Sequence, residues 1–144
     1  MAKYTAYESV LRVETTPSVF VDVAQVRDIS GPSMTQDAVE VTARDTSKWR
    51  AFTPGLRDGG EVTFDLIYDP DLASHSATNT TTGLVNFLLT GTTKTFRLVM
   101  AQSGGDYFAF SGIVTAFTPE SPLEDAMTAS CTIKITGTVT FVTA

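Results

Sequence analysis

The segment that most constrains the fold is a run of about sixteen alternating residues at positions 126–142. Every second side chain is apolar or small, and nearly all of those between carry a hydroxyl group. A period of two places the apolar side chains on one face of a β-strand. Because strands usually have about 5–6 residues, the pattern predicts either one unusually long strand or a strand that bends at Gly137 and pairs with two partners.

The composition also favours a mainly β protein. Threonine accounts for 24 of the 144 residues, and its β-branched side chain suits pleated, half-exposed positions. A chain of this length fits one domain, and it can bury about 68–70% of the surface that its unfolded form exposes. We therefore expect one domain over residues 1–144 that needs neither a disulfide bond nor a metal ion to fold.

Five further segments have the alternation or the composition of strands. The apolar residues Val39 and Val41 are expected to point inward, in the same sheet as the strand before them. Gly112 is a candidate site for a bulge or bend. A glycine-rich turn at residues 103–106 predicts an antiparallel hairpin. The predicted strands cover residues 19–26, 38–44, 61–68, 94–100 and 107–118.

One short helix is predicted over residues 83–90. Leu84, Phe87 and Leu88 form an apolar stripe at the i, i+3, i+4 spacing of a helix. One of the three threonines before it is expected to cap the N-terminus, and Gly91 suits the position that ends a helix. Because so short a helix is not stable alone in water, its stripe is expected to pack on a sheet.

Two segments show no sustained period. Residues 1–18 are interpreted as an N-terminal arm, and residues 45–60 as a long polar loop. The loop contains Trp49, the single tryptophan of the chain, together with Phe52. These aromatic side chains either fold back and cap the core or anchor a contact with another protein, since Trp and Arg are enriched at binding hot spots. Both interpretations remain open from the residues alone.

Reactive side chains are scarce. The chain has one cysteine and one histidine, which excludes a disulfide framework, a cysteine-based zinc site and a multi-histidine metal site. Cys131 falls on the apolar face of the long strand and is expected to be buried. His75 lies in a polar loop over residues 72–82 and is expected to be solvated. Since no catalytic motif is recognisable, we predict a protein that is not an enzyme and binds no cofactor or metal.

Charge and hydropathy exclude further classes. Ten Lys and Arg against 16 Asp and Glu give a formal net charge of −6, which argues against a surface that grips nucleic acid. No apolar run approaches the roughly 18 residues of a membrane span, and the first residues lack the apolar core of a secretory signal. A structural role remains, because an arm and a loop that contact neighbouring copies head to tail can build rings or filaments.

A series of motifs in a fixed order adds a family resemblance. D-I-S-G-P-S at residues 28–33 precedes V-E-V-T at residues 39–42, and W-R-x-F-x-P-G-L-x-D-x-G-E-V-x-F follows at residues 49–64. After Asp69-Pro70 come F-S-G, F-T-P, T-A-S and T-I-K-I-T-G, at residues 110–112, 117–119, 128–130 and 132–137. From about residue 26 to residue 137, this series resembles the major tail tube proteins of long-tailed phages with flexible, non-contractile tails.

The resemblance implies a β-sandwich or barrel-like tail-tube fold with one short α-helix packed on the sheets, related to phage tail tubes and type VI secretion tubes. In that family the protomers form rings, usually hexamers, which stack into a hollow tube. The tube holds the tape-measure protein during assembly in the host cytoplasm and later conducts the genomic DNA from the virion into the host cell. Tail-terminator and tail-tip proteins are expected at its ends. Some relatives carry a C-terminal immunoglobulin-like domain, which is expected to be absent here.

The resemblance also assigns candidate contact residues. It makes the loop at residues 45–60 the expected ring-to-ring contact, with the N-terminal arm as its helper. The acidic balance suits a DNA conduit, because a negative lumen repels phosphate. An alternative is a carbohydrate- or receptor-binding β-sandwich module of a phage fibre or baseplate, which would stack sugars on Trp49 and exposed tyrosines. The ring-contact candidates are Trp49, Arg50, Phe52, Leu56 and Arg57, and the lumen-facing candidates are Asp22, Glu40, Glu61 and Asp65.

Overall fold

Nine strands and one short α-helix make up the regular structure in a computed structural model, which describes residues 10–17, 19–44, 48–100 and 106–143. A seven-stranded antiparallel sheet has the order β2-β1-β7-β8-β9-β6-β3, and β4 and β5 form a separate two-stranded sheet. The prediction of a mainly β fold with one helix is confirmed. The strands are β1 (Val10–Thr16), β2 (Val19–Asp22), β3 (Val26–Ser30), β4 (Thr35–Glu40), β5 (Phe52–Asp58), β6 (Glu61–Ile67), β7 (Thr93–Val99), β8 (Tyr107–Glu120) and β9 (Thr128–Val142), and the helix is α1 (Leu84–Thr90).

β9 is the long alternating segment, with 15 residues in one strand. It pairs with β8 from end to end, and its first half also pairs with β6, from Ile67↔Thr128 to Glu61↔Lys134. Gly137 has a φ of 80°, a conformation that glycine adopts without steric cost. The alternation predicted either one long strand or a strand with two partners, and β9 is both.

The two long strands belong to both layers of a sandwich. β7 pairs with β8 only between Tyr107 and Ile113, so the second half of β8 runs beyond it. The β8–β9 register shifts at 109/111 and at 114/116, on either side of Gly112 rather than at it. Such irregularities let a strand turn a corner between packed sheets. The first layer therefore contains β2, β1, β7, the start of β8 and the end of β9, and the second contains the rest of β8, the start of β9, β6 and β3.

A short connection joins the two edge strands of the sheet. β2 and β3 are at opposite edges of the sheet, yet only residues 23–25 connect them. So few residues span at most about 14 Å, so the two edges lie close together. One continuous core fills the interior, contributed by both layers: Leu11, Val13, Phe96, Leu98 and Phe110 from the first, and Val62, Phe64, Leu66, Cys131 and Ile133 from the second.

The expected N-terminal arm is wrong for residues 10–16, which form β1. This strand pairs with β2 on one side and with β7 on the other. Leu11 and Val13 are fully buried in the core, so the strand contributes to folding rather than reaching away from the domain. Two buried positions are too few to give a recognisable period in the sequence. Residues 1–9 and 18 of the expected arm lie outside the described residues.

Two predicted strands are also wrong in their extent. The strand expected over residues 19–26 is interrupted by a turn in which Gln25 has a φ of 58°. The strand expected over residues 38–44 ends at Glu40 and lies in the separate two-stranded sheet. Its valines do not point into the core, since Val39 is 49% exposed and Val41 is 51% exposed. The other predicted strands are confirmed as β6, β7 and β8 within a few residues.

His75 is buried, and the expectation of a solvated side chain is wrong. The backbone N–H of Asp69 donates to Nδ1 at 3.1 Å, so the neutral ring carries its hydrogen on Nε2 and donates it to the Ala24 carbonyl at 2.7 Å. The Ala24 N–H in turn donates to the Ser74 hydroxyl at 3.0 Å. Ser74 and His75 belong to a 3₁₀ turn, Ala73–His75. These hydrogen bonds hold the connection between β2 and β3 in place.

The helix α1 packs against β8 with Leu84 and Phe87 buried. Gly83 occupies the N-cap and no side chain caps the helix, so the expected threonine cap is wrong. Gly91, with a φ of 68°, ends the helix as predicted. The apolar stripe therefore covers one side of the long strand, as its period indicated.

Candidate assembly interface

A β-hairpin formed by β4 and β5 projects from the sandwich. Its strands pair from Thr35↔Asp58 to Glu40↔Phe52, and the Val41 N–H extends the ladder to the Ala51 carbonyl at 2.8 Å. Every residue of β4 is exposed, and in β5 only Gly55 is half-buried. A two-stranded hairpin with no covered face is at best marginally stable in water. The hairpin thus leaves both of its faces open to solvent in the protomer.

The irregular loop expected over residues 45–60 is wrong for residues 52–58, because these form β5. The segment has no single buried face in the protomer, so its sequence lacks the period by which strands are recognised. Residues 45–47 of the expected loop lie outside the described residues.

Polar contacts fix the base of the hairpin. The Gly60 N–H donates to Oδ1 of Asp58 at 2.8 Å, and Nζ of Lys134 donates to the same oxygen at 3.1 Å. The hydrogen bond from Gly60, followed by the contact with Lys134, lowers the pKa of Asp58 below its ordinary value of 3.8. The Ile135 N–H also donates to the Gly60 carbonyl at 3.0 Å. These bonds set the direction in which the hairpin leaves the sandwich.

An open groove of about 540 Å³ separates the base of the hairpin from the second half of β9. Met34 and Arg57 line it from the hairpin side, and Ile135 and Val139 line it from β9. The groove lies beyond the end of β6, where β9 has a partner on only one side.

All five ring-contact candidates lie on the hairpin or on the segment that connects its strands. Trp49 is 84% exposed, Leu56 is 83% exposed and Phe52 is 56% exposed. Trp49 and Phe52 therefore do not fold back to cap the core, and that interpretation is wrong. Arg50 lies 3.9 Å from the carboxylate of Glu40, and Arg57 is exposed opposite Gln36. Val39 and Val41 belong to the same uncovered hairpin, although their alternation had placed them in the core.

The end of the sandwich farthest from the hairpin base is acidic. The Tyr68 N–H donates to the Met127 carbonyl at 2.9 Å, which brings residues 68–71 next to residues 120–127. We call these two segments the acidic end. Leu123 at its turn is 99% exposed. The acidic end contains five carboxylates and no Lys or Arg: Asp69, Asp71, Glu120, Glu124 and Asp125. Sequence reasoning missed this cluster, because its members are about fifty positions apart along the chain.

The four lumen-facing candidates lie on three different surfaces. Glu61 and Asp65 alternate with buried residues of β6 and share the outer face of the second layer. Asp22 is opposite Arg12 on the outer face of the first layer, with Oδ1 2.7 Å from the Arg12 Nε. Glu40 is on the hairpin. One wall of a channel cannot present all four carboxylates.

The two outer faces differ in chemistry. On the second layer, hydroxyl groups surround Asp65, and the Ser130 hydroxyl donates to its carboxylate at 2.8 Å. On the first layer, the guanidinium of Arg97 stacks between aromatic rings, 3.7 Å from the centre of Phe20 and 4.5 Å from that of Tyr107. Arginine and aromatic rings are the groups that bind phosphates and bases. The second layer is therefore the face less suited to holding nucleic acid.

Groups able to do chemistry are few in the described part of the chain. Burial raises the pKa of the Cys131 thiol to about 12, so the thiol stays protonated at neutral pH and is a poor nucleophile. Across residues 10–17, 19–44, 48–100 and 106–143, no three His, Cys, Asp or Glu side chains come together in a group that could hold a metal ion. Among these same residues, no helix has the length and hydropathy needed to cross a membrane.

Comparison with known proteins identifies one family model and several solved structures. The model described as lambda phage tail tube protein matches residues 3–142. The tail of an empty gene transfer agent particle, computed with C6 symmetry, superposes with a TM-score of 0.76 at 14% identity, over 97% of this chain and 99% of that chain. The SPP1 tail tube gives 0.71 at 10% identity, over 99% and 80%. The sheath–tube complex of the extracellular contractile injection system PVC gives 0.71 at 15% identity, over 99% and 93%. No curated protein sequence matches the chain.

Proposed function

The chain belongs to the lambda phage tail tube protein family, and we propose that its copies form rings that stack into a tube through the β4–β5 hairpin. As a tail tube protein it is a structural component of the phage tail and thus of the virion. The observation that carries the stacking proposal is the projecting hairpin, whose residues are nearly all exposed in the protomer.

The side chains of the hairpin support a contact with another copy. Trp49, Phe52 and Leu56 expose most of their apolar surface within one short segment. Large exposed apolar patches in soluble proteins usually mark interaction sites, and Trp and Arg often dominate their binding energy. Arg50 and Arg57 lie beside these three residues in the sequence. The hairpin therefore combines an apolar centre with a charged rim, as protein interfaces commonly do.

The proposed ring is a homohexamer. The superposed tail of the gene transfer agent has C6 symmetry, and cyclic rings arise when two different surfaces of one chain join head to tail. The expected partners of such a tube are the tape-measure protein inside it, the tail-terminator and tail-tip proteins at its ends, and the genomic DNA that passes through. Assembly and conduction require no chemical step, and the proposal includes no catalytic residue.

We place the lumen on the outer face of the second layer. Glu61 and Asp65 share this face with the hydroxyl-bearing side chains of β9. Negative charge and hydroxyl groups repel phosphate without offering a strong contact, so DNA would slide past them. The face of the first layer, with Arg12 and the stacked Arg97, would instead retain phosphate. Asp22 is then a lumen candidate that we no longer propose.

Electron microscopy of purified Trp49→Ala protein tests the stacking proposal. The wild-type protein is expected to form tubes of uniform width, whereas the variant is expected to remain as rings or protomers. Leu89→Ala is the matched control, because Leu89 is also an exposed apolar residue, 70% exposed, but lies on α1. The control is expected to form tubes. Normal tubes from a folded Trp49→Ala variant would show that the hairpin is not the stacking contact.

A further inference from the structure

The two ends of the protomer point in opposite directions along β6 and β9. Residue pairs from Ile67↔Thr128 to Glu61↔Lys134 connect the acidic end with the base of the hairpin. A strand of this length spans roughly 20 Å. β4 and β5 continue the chain beyond β3 and β6, past Gly60, and lie beside the part of β9 that follows Lys134. The hairpin is thus attached at the end of β6 opposite the acidic end.

The two ends carry opposite charge. We define the hairpin tip as residues 40–44 and 48–52, the part of the hairpin that begins at the Glu40↔Phe52 pair, which contains three cations, Arg44, Lys48 and Arg50, against the carboxylate of Glu40. The acidic end contains five carboxylates without a cation. A chain with a net charge of −6 therefore concentrates positive charge at one end and negative charge at the other. Complementary charge of this kind selects a partner and a docking direction.

Both ends also present apolar side chains to solvent. Leu123 is 99% exposed at the tip of the turn between β8 and β9, and it follows Pro122 and precedes two carboxylates. Trp49 on the hairpin tip is 84% exposed and lies between Lys48 and Arg50. An isolated leucine with complete exposure buries its apolar area only when a partner covers it. The two surfaces thus match in hydrophobicity as well as in charge.

We propose that the acidic end of one protomer is the receptor for the hairpin tip of a copy in the adjacent ring, with Leu123 as the apolar centre of the receptor and its carboxylates as the rim. This inference rests on the proposed function and names the partner surface that the hairpin occupies. Because the tip and its receptor are different surfaces at opposite ends, the contact is head to tail and does not close on itself. Every ring then offers free tips on one side and free receptors on the other, so rings can stack without limit.

A charge-swap experiment tests the pairing. Variant A carries Lys48→Glu and Arg50→Glu on the hairpin tip, and variant B carries Glu120→Lys, Glu124→Lys and Asp125→Lys at the acidic end, which leaves that end with three lysines against two carboxylates. In each variant alone, like charges face each other, and the protein concentration needed for tube growth is expected to rise at least about tenfold. In a mixture, the negative tip of A meets the positive receptor of B, and the tip of B meets the unchanged receptor of A. Tubes are therefore expected to form from the mixture.

The rescue in the mixture separates pairing from damage to the fold. Circular dichroism of each variant confirms that the protomer is folded before mixing. If wild-type protein forms tubes and variant B forms them equally well alone, the acidic end is not the receptor, although the proposed tube function stands. Failure of the mixture to form tubes while both variants are folded also overturns the pairing. Absence of tubes in the wild type would instead contradict the proposed function itself.

Cysteine cross-linking gives a second measurement that does not depend on charge. The Ala51→Cys, Leu123→Cys double variant, with Ala51 exposed on the hairpin tip, is expected to form ladders of covalently linked chains when assembled tubes are treated with a short bis-maleimide. The native Cys131 is 1% exposed, so it does not compete for the reagent. Leu89→Cys with Leu123→Cys is the matched control and is expected to give no ladder. Equal ladders from both double variants, or none from either, would contradict the proposed contact.

Discussion

At the residue scale, His75 shows how one buried polar side chain can hold distant segments together. Its two ring nitrogens bond to the backbone of Asp69 and Ala24, and Ala24 is in the connection between the sheet edges. The sequence alone could not reveal this role, since residues 24 and 75 are about fifty positions apart and the surrounding loop is polar. A polar loop sequence predicts that a side chain is exposed only where no other segment of the fold covers that loop.

His75→Ala is expected to lower the free energy of unfolding by about 2–4 kcal/mol. The substitution leaves the Ala24 carbonyl and the Asp69 N–H without their partner and opens a cavity in the core. Urea unfolding of dilute protein, followed by circular dichroism, measures the change. Thr80→Ala in the same polar segment is the control, because Thr80 is exposed, and it is expected to change stability by less than about 0.5 kcal/mol. Equal stability of both variants would show that His75 does not hold the connection between β2 and β3 in place.

The thiol of Cys131 offers a second measurement at this scale. Burial raises its pKa from 9.0 to about 12, so in the folded protein it stays protonated up to strongly alkaline pH. At pH 8 a disulfide reagent such as DTNB is expected to leave the native protein unmodified and to label one thiol per chain after unfolding in urea. Since the folded pKa is the higher one, stability is expected to decline as the pH rises above 9. Rapid labelling of the native protein would place Cys131 at the surface.

At the element scale, the alternation of apolar and polar residues reveals a strand only when that strand buries one of its two faces. β6 and β9 each bury one face, and their alternation predicts them well. β4 and β5 bury neither face in the protomer. The sequence therefore wrongly predicts a core strand in place of β4 and an irregular loop in place of β5. Their motifs nevertheless nominate the ring-contact candidates, because the family resemblance does not depend on burial. The acidic end had no such motif and was found only from the fold.

Asp58 makes the attachment of the hairpin sensitive to acid. Its folded pKa is lowered by the Gly60 N–H first and by Lys134 second. A lowered pKa stabilises the folded state at pH values above 3.8, and the contribution disappears as the pH falls through the folded pKa. Asp58→Asn is therefore expected to lower the thermal midpoint at neutral pH and to differ less from the wild type at pH 3. Calorimetry between pH 3 and pH 7 measures both values.

Asp37→Asn is the control for this experiment. It removes the same charge from an exposed position of the partner strand β4. Its thermal midpoint is expected to stay close to that of the wild type at neutral pH. If the two substitutions have the same effect at every pH, the contacts of Asp58 at the hairpin base contribute nothing specific.

At the scale of the whole molecule, the distribution of charge bears on the proposed passage of DNA through the tube. The net charge of −6 follows from the sequence, but its division between two faces and two ends follows from the register of the strands. The carboxylates of β6 are on one outer face, the arginines of β1 and β7 are on the other, and the hairpin carries four of the other eight Lys and Arg residues. The composition argues against a surface that grips nucleic acid, whereas the choice of Glu61 and Asp65 as the proposed lumen-facing carboxylates required the fold.

The placement of the lumen leads to a prediction about tubes that carry one reversed charge. Asp65→Lys places a cation on the outer face of the second layer, and the substitution is repeated in every copy around a ring. At low ionic strength, where exposed charges are little screened, such tubes are expected to retain short duplex DNA in a nuclease-resistant form. Wild-type tubes are expected to leave the DNA in the supernatant after sedimentation.

Asp22→Lys is the matched variant, because it makes the same charge change at an exposed carboxylate on the opposite face. DNA bound by these tubes would lie outside the channel and is expected to be digested completely by nuclease. Protection by the Asp22 variant, with none by the Asp65 variant, would show that the first layer, and not the second, faces the channel. The proposed stacking contact does not depend on which face lines the channel, so that result would leave it standing.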